Sequence, residues 1–152
     1  MNADRQAGFV AGAEALIFGV LVFVFGTLVV LNAWAVVDAK FATNAAAREA
    51  VRAIVEAPAD TGYAALLTRA DAAAGQAFAA HGYSAAAVTI TPIKLSGSQE
   101  RCAPVTMRAE IDVKSTIVPG IAGPNTFKVG STHEEVIDPF RSGLAGEAAC
   151  GF

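Results

Sequence analysis

The sequence predicts an α+β fold, in which a long N-terminal helix of transmembrane type precedes a small domain with one further helix on the apolar face of an antiparallel sheet. Three observations lead to this prediction. An uncharged apolar run covers residues 15–37, a helical periodicity follows at residues 63–78, and an alternating strand pattern marks residues 105–117.

The apolar run from Ala15 to Val37, ALIFGVLVFVFGTLVVLNAWAVV, carries no charged residue, and Glu14 stands at its leading edge. A helix advances about 1.5 Å per residue, so the run covers about 34 Å, enough to cross a hydrocarbon core about 30 Å thick. A soluble fold of this size has no use for so long a helix that is apolar on every face. The run therefore predicts a single-pass membrane protein.

A cleaved secretory signal is the alternative interpretation of this run. Such a signal has a basic start, an apolar region of about 7 to 15 residues and a small-residue cleavage site. The run exceeds that length, and it continues without a break into a segment of helical character, DAKFATNAAAREAVRAIVEA. These features favour a membrane helix over a signal.

The helix is predicted to continue for about 45 residues, because residues 38–56 contain neither proline nor glycine. Pro58 ends it, since the residue before a proline disfavours the helical conformation. Asp60, Thr61 and Gly62 then form a turn that supplies the N-cap of a second helix. Apolar residues recur at helical spacing from Tyr63 to Phe78, and His81-Gly82 marks the stop.

Strands follow the second helix. Residues 88–95 alternate until Pro92, which predicts an edge strand or a bulge. Residues 105–117 give the clearest strand signal, with Val105, Met107, Ala109, Ile111 and Val113 on one face and polar residues on the other. Residues 119–125, PGIAGPN, form a turn, and residues 126–137 return as a third strand. An antiparallel sheet with one solvated face has this pattern.

The two cysteines, Cys102 and Cys150, fit no metal-ligand spacing. Two free thiols are expected if the domain is cytosolic, whereas a disulfide is expected if the domain lies outside the membrane. Positive charges after the run outnumber those before it, which argues by count for the reverse orientation. The expected disulfide nevertheless favours an N-terminus inside and an extracytoplasmic domain. We therefore divide the chain into residues 1–56, the tail and long helix, and residues 57–152, the extracytoplasmic α+β domain.

Composition argues against several classes of function. The formal net charge of -3 comes without a basic stripe, so nucleic acid is not an expected partner. His81 reads as a helix terminus and His133 as a strand residue beside two glutamates, and neither has further ligands at a recognisable metal-site spacing. No phosphate-binding glycine loop or nucleophile motif is present in the sequence. We expect no enzymatic activity, no cofactor, no metal and no small-molecule substrate.

The segment AGFVAGAEALIFGVLVFVFGTLVVLNAWAVVDAKFATNAAAREAVRAIVEA resembles the TadE-like minor pilins, or pseudopilins, of tight-adherence (Flp-type) pilus systems. It looks most like versions from high-GC Gram-positive bacteria. The resemblance rests on a glycine before the apolar helix, a glutamate at its start and the AAARE stretch after it. It covers residues 6–56 well, and the HEEVIDPFRSG segment also resembles the endings of such proteins.

The resemblance implies a processing site and a pairing residue. A prepilin peptidase would cut after Gly8, Phe9 would become the new N-terminus, and Glu14 would pair with the free amine of a neighbouring subunit. Glu14 is the sixth residue after Gly8, whereas the family usually places this acid fifth. Partners would be other pilin-like subunits, the pilus assembly platform and the lipid membrane, and the protein would lie in the cell membrane or in a surface pilus.

Gly12, Gly19 and Gly26 are spaced by seven residues and share one helix face, where they would allow close helix packing. The alternative interpretation is that these glycines have no packing role, because transmembrane helices are generally rich in glycine. Two other functions stay open at this point. The chain could be a single-pass extracytoplasmic adaptor that never enters a filament, or the major structural pilin, although the family's major pilins are generally much shorter.

Overall fold

The computed structural model describes residues 3–96, 99–115, 126–147 and 149–151, and within these it describes side chains from residue 13 onward. The described residues form two α-helices, α1 (Ala3–Val55) and α2 (Tyr63–Ala80), and three strands, β1 (Thr89–Lys94), β2 (Pro104–Lys114) and β3 (Thr126–Val136). The strands make one antiparallel sheet in the order β1-β2-β3. The predicted α+β architecture is confirmed. The turn predicted at residues 119–125 lies outside the described residues.

Helix α1 is longer than the sequence predicted, because its 53 residues begin at Ala3. It extends for about 80 Å and ends before Pro58, as expected. The last carbonyls of such a helix lack partners within it. Here Gln99 Nε2 donates to the carbonyl of Ile54 at 2.9 Å, and the guanidinium of Arg141 donates to the carbonyls of Val55 and Ala57.

Helix α2 begins at the predicted residue, Tyr63, and has the predicted stop. Its N-cap is Gly62, and no side chain caps it, so neither Asp60 nor Thr61 plays that part. At the other end His81 is the C-cap and Gly82 has a φ of +84°, the left-handed conformation that glycine adopts without strain.

The sheet has the predicted alternation. The alternate residues Val105, Met107, Ala109 and Ile111 of β2 are buried. Strand β1 lies at an edge of the sheet, as predicted, and its register with β2 shifts between Pro92 and Lys94. The other face of the sheet is polar, with Glu134 accepting from Thr106 at 2.6 Å and from Lys94 at 3.1 Å.

The core contains the C-terminal half of α1. Small buried side chains let this part of α1 lie between α2 and the sheet, where it contacts α2, β2 and β3. The helix that covers the apolar face of the sheet is thus α1, and α2 packs mainly on α1. The core therefore continues across residue 56, the predicted boundary between the two parts of the chain. The buried residues of α1 are Ala39, Ala42, Thr43, Ala46, Ala47, Ala50, Val51 and Ile54.

Strand β3 runs alongside α1 in the same direction. At the middle of β3, Ser131 Oγ lies 3.1 Å from Thr43 Oγ1 in a buried contact. Past its end, Arg141 reaches the last residues of α1. The domain therefore has two ends. The rod-side end lies where the exposed N-terminal part of α1 leaves the domain, and it is formed by the end of β2, the start of β3 and the end of α2. The tail-side end is formed by the end of α1 and the C-terminal tail.

Candidate functional site: the exposed apolar helix

Residues 13–37 of α1 form an apolar surface with almost no cover from the rest of the described chain. Among the described helices, α1 is the one that is long and apolar enough to cross a membrane. We call residues 13–37 of α1 the apolar rod. Exposed large apolar side chains surround it on every face: Leu16, Ile17, Phe18, Val20, Leu21, Val22, Phe23, Val24, Phe25, Val29, Val30, Leu31, Trp34 and Val37. Such a surface requires lipid or other apolar helices around it.

Two polar side chains within the rod form hydrogen bonds to the backbone of their own helix. Thr27 Oγ1 donates to the carbonyl of Phe23, and Asn32 Nδ2 donates to the carbonyl of Leu28, both at 2.8 Å. A polar side chain in an apolar medium is costly only while its hydrogen-bonding groups lack partners. These bonds therefore reduce the cost of placing Thr27 and Asn32 among apolar surroundings.

Glu14 differs from these two residues. Its side chain is exposed at the start of the rod. No described residue donates a hydrogen bond to its carboxylate or forms an ion pair with it. Phe9, the predicted mature N-terminus, lies five residues before it, and Gly8 and Gly12 lie in the same part of α1. The side chains of residues 3–12 are outside the described part of the structure, so cleavage after Gly8 and packing at Gly12 stay predictions.

Gly19 and Gly26 are open to the surroundings. A Cβ atom added at either position would meet nothing within 4 Å. Neither glycine is therefore needed to accommodate the described part of this chain. Close packing at these positions stays a prediction about contacts with another helix.

The rod joins the domain through a set of polar contacts at the rod-side end. Asp38, the first charged residue after the rod, accepts a hydrogen bond of 2.7 Å from the Tyr83 hydroxyl, and Lys40 Nζ donates to the carbonyl of Gly130. Burial of the Tyr83 hydroxyl, and next its hydrogen bond to Asp38, raise the pKa of Tyr83 to about 12. Sequence patterns did not indicate this junction, since its partners are 45 and 90 residues apart.

The tail-side end holds the predicted disulfide. Cys102 and Cys150 are joined, with their Cα atoms 5.3 Å apart. Backbone bonds from Arg101 N to the Ala145 carbonyl and from Cys102 N to the Ile137 carbonyl attach the tail to the same loop. The disulfide therefore fixes the segment that carries Arg141, which caps α1.

The remaining candidates offer no recognisable chemistry. His133 Nε2 lies 3.0 Å from Glu135 Oε1, and no group of three or more potential metal ligands occurs among the described residues. A cavity of about 270 Å³ is lined by Ala87, Thr89, Glu110, Ile111, Asp112 and Lys128. Its charged groups already have partners, since Lys128 lies 3.7 Å from Asp112, and Arg108 lies 2.8 Å from Glu110.

Comparison of the chain with protein-family models, with curated proteins and with solved structures finds no match.

Proposed function

We propose that this chain is a membrane-anchored, pilin-like accessory subunit of a tight-adherence, type IV-like pilus, and that it assembles through α1. The observation that carries the proposal is the continuity of α1. One unbroken helix presents an exposed apolar rod in its first half and fills the core of the domain with its second half. A subunit held in the membrane by the rod can therefore pass into a bundle of similar rods with its domain rigidly attached.

Glu14 supports assembly over simple anchoring. A carboxylate at the edge of the hydrocarbon layer is costly without a partner, and charges that leave water must be paired. Thr27 and Asn32 are satisfied within their own helix, whereas Glu14 has no partner among the described residues. The free amine of a neighbouring subunit, exposed after cleavage between Gly8 and Phe9, is the partner that we propose.

In this proposal the protein lies in the cell membrane as a single-pass subunit, with the C-terminal domain outside, and enters the surface pilus. Its partners are other pilin-like subunits, the assembly platform and a prepilin peptidase. The domain has no catalytic role. Gly12, Gly19 and Gly26 let neighbouring helices approach closely along one face of the rod.

The test compares Glu14→Gln with Glu49→Gln in cells that lack the native chain. Both substitutions remove one exposed carboxylate from α1, but Glu49 lies in the domain beyond the rod. Surface pili are counted by electron microscopy of sheared fractions, and insertion is followed by immunoblots of membranes. We expect Glu14→Gln to abolish piliation and to leave insertion intact, and Glu49→Gln to change neither.

Normal piliation in the Glu14→Gln strain would remove the assembly proposal and leave a single-pass adaptor as the better interpretation. N-terminal sequencing of the protein from membranes tests processing independently. Phe9 as the first residue supports the peptidase, whereas Met1 or Asn2 contradicts it.

A further inference from the structure

The rod-side end of the domain extends down beside the rod. Ser131 of β3 lies at the level of Lys40 and Thr43, since its Oγ is 3.5 Å from the Lys40 carbonyl and 3.1 Å from Thr43 Oγ1. Phe127 precedes Ser131 by four strand residues, or about 13 Å. That distance corresponds to about nine residues of the parallel α1 helix. From this spacing we infer that Phe127 lies at about the level of Trp34, on the rod side of Asp38.

The two aromatic residues at this level are exposed. The exposed fraction is 71% for Trp34 and 41% for Phe127. Phe127 shares the helix-facing side of the sheet with its register partner Val113, but it lies beyond the part of the sheet whose residues are buried. Both rings therefore stand at the boundary between the apolar rod and the polar domain. Tryptophan is enriched at this depth of membrane proteins, where the hydrocarbon layer meets the headgroups, and exposed phenylalanine side chains insert at the same boundary.

The spacing along α1 places this boundary at a bilayer surface. Twenty positions separate Glu14 from Trp34, which is about 30 Å of helix and equals the thickness of the hydrocarbon core. When Glu14 lies at one surface, Trp34 lies at the other, and Phe127 lies at about the same depth as Trp34. Lys114 is exposed at the neighbouring end of β2, and Lys128 is exposed within its 3.7 Å ion pair with Asp112. Long cationic side chains at this depth can reach lipid phosphates.

We propose that the rod-side end of the domain is seated in the headgroup layer of a phospholipid bilayer, with Trp34 and Phe127 forming an aromatic belt at one membrane surface. The inference rests on the membrane-spanning role proposed for α1. It adds that the domain lies directly on the bilayer rather than above it. The polar contacts of Asp38 with Tyr83 and of Lys40 with Gly130 then lie just outside the hydrocarbon layer.

The single tryptophan of the chain allows a direct test. The full-length protein is reconstituted in phosphatidylcholine–phosphatidylglycerol vesicles that carry bromine at shallow or at deep acyl positions. Tryptophan emission is measured for the native chain and for Trp34→Phe/Phe127→Trp. Trp34→Phe/Lys114→Trp provides a second probe of the same end. The control, Trp34→Phe/Phe140→Trp, reports from the tail-side region, at a position that is 82% exposed.

We expect the native chain and both rod-side variants to lose more emission to shallow than to deep bromines, and the control to lose none. If the native chain is quenched but both rod-side variants are not, the domain stands clear of the bilayer and this inference is wrong, while the membrane span is retained. If the native chain is not quenched either, the membrane span itself fails. The tryptophan emission of the rod-side variants could instead shift to the blue as the protein density in the vesicles rises, without quenching by bromine. That result would mean that a second copy of the chain covers this surface, and it would also overturn the inference.

Discussion

The hydroxyl of Tyr83 donates a hydrogen bond of 2.7 Å to a carboxylate oxygen of Asp38. Asp38 is the first charged residue after the apolar rod, and Tyr83 directly follows the glycine that ends α2. The Phe78 ring of α2 stacks on Tyr83, with ring centroids 4.8 Å apart. The contact therefore attaches the end of α2 to the point where α1 leaves the domain.

This contact predicts a pH dependence. The pKa of Tyr83 is raised from 10.0 to about 12 in the folded protein by burial and by the hydrogen bond to Asp38. Since the folded-state pKa exceeds the unfolded one, folding favours the neutral phenol. The stabilisation is complete below about pH 10 and is lost as the pH rises through about 12.

Ultraviolet absorbance of the phenolate during titration measures this pKa. We expect an ionisation step near pH 12 in the native chain, and its disappearance in Tyr83→Phe. Tyr63→Phe is the control, because it removes the other tyrosine and leaves the high-pH step in place. Complete ionisation of Tyr83 by pH 10.5 in the folded protein would contradict the prediction.

Arg141 is expected to stabilise the domain by capping α1. Its guanidinium donates to the carbonyls of Val55 and Ala57, and hydrogen bonds from charged groups contribute about 1.5–3 kcal/mol net. Arg141→Met should therefore lower the free energy of unfolding by about 2 kcal/mol, measured by urea denaturation in detergent micelles.

Arg108→Met is the matched control for Arg141→Met. Arg108 pairs with Glu110 on the solvated face of the sheet, with half of its side chain exposed. Exposed ion pairs contribute about 0.2–1 kcal/mol, so this control should change the free energy of unfolding by less than Arg141→Met does. Equal losses of unfolding free energy in the two variants would show that capping of α1 by Arg141 stabilises the domain no more than an exposed ion pair does.

The disulfide is expected to stabilise the folded domain and to hold the C-terminal tail against it. Cys102 and Cys150 are separated by 48 positions, and closing such a loop stabilises by up to about 4 kcal/mol in the chain-entropy model. The double variant Cys102→Ser/Cys150→Ser should lose a comparable free energy of unfolding and expose residues 138–151 to proteolysis. Each single variant should match the double one, and a larger loss in the double variant would argue against a shared bond.

Two glycines should respond differently to substitution by alanine. At Gly130 a new Cβ would lie 3.0 Å from Glu110 Cγ and 3.1 Å from the Ala109 carbonyl oxygen, so Gly130→Ala should destabilise the domain by about 1 kcal/mol or more. At Gly26 the space is open, so Gly26→Ala should leave the unfolding of the domain unchanged. Amide hydrogen exchange of β2 and β3 measures both effects. Equal protection in the two variants would refute the predicted close approach at Gly130.

The sequence alone determined the elements of this protein. The charge-free run, the helical recurrence from Tyr63 to Phe78 and the alternation along β2 are local patterns, and each depends on residues a few positions apart. The two cysteines left one intramolecular pairing open, which the structure contains. The stop of α2 at His81-Gly82 and the irregularity at Pro92 follow from the backbone preferences of glycine and proline.

Only the tertiary structure decided which helix covers the sheet and how the ends of α1 and α2 are held. The buried alanines of α1, such as Ala42 and Ala46, read in the sequence only as helix formers, yet their small side chains let α1 fit between α2 and the sheet. Gln99, Arg141 and Tyr83 carry no local signal, because their partners lie 45 to 86 positions away in the chain. Contacts over such separations arise only when helices and strands that have formed pack against one another. The periodicity of residues within one helix or strand therefore does not predict them.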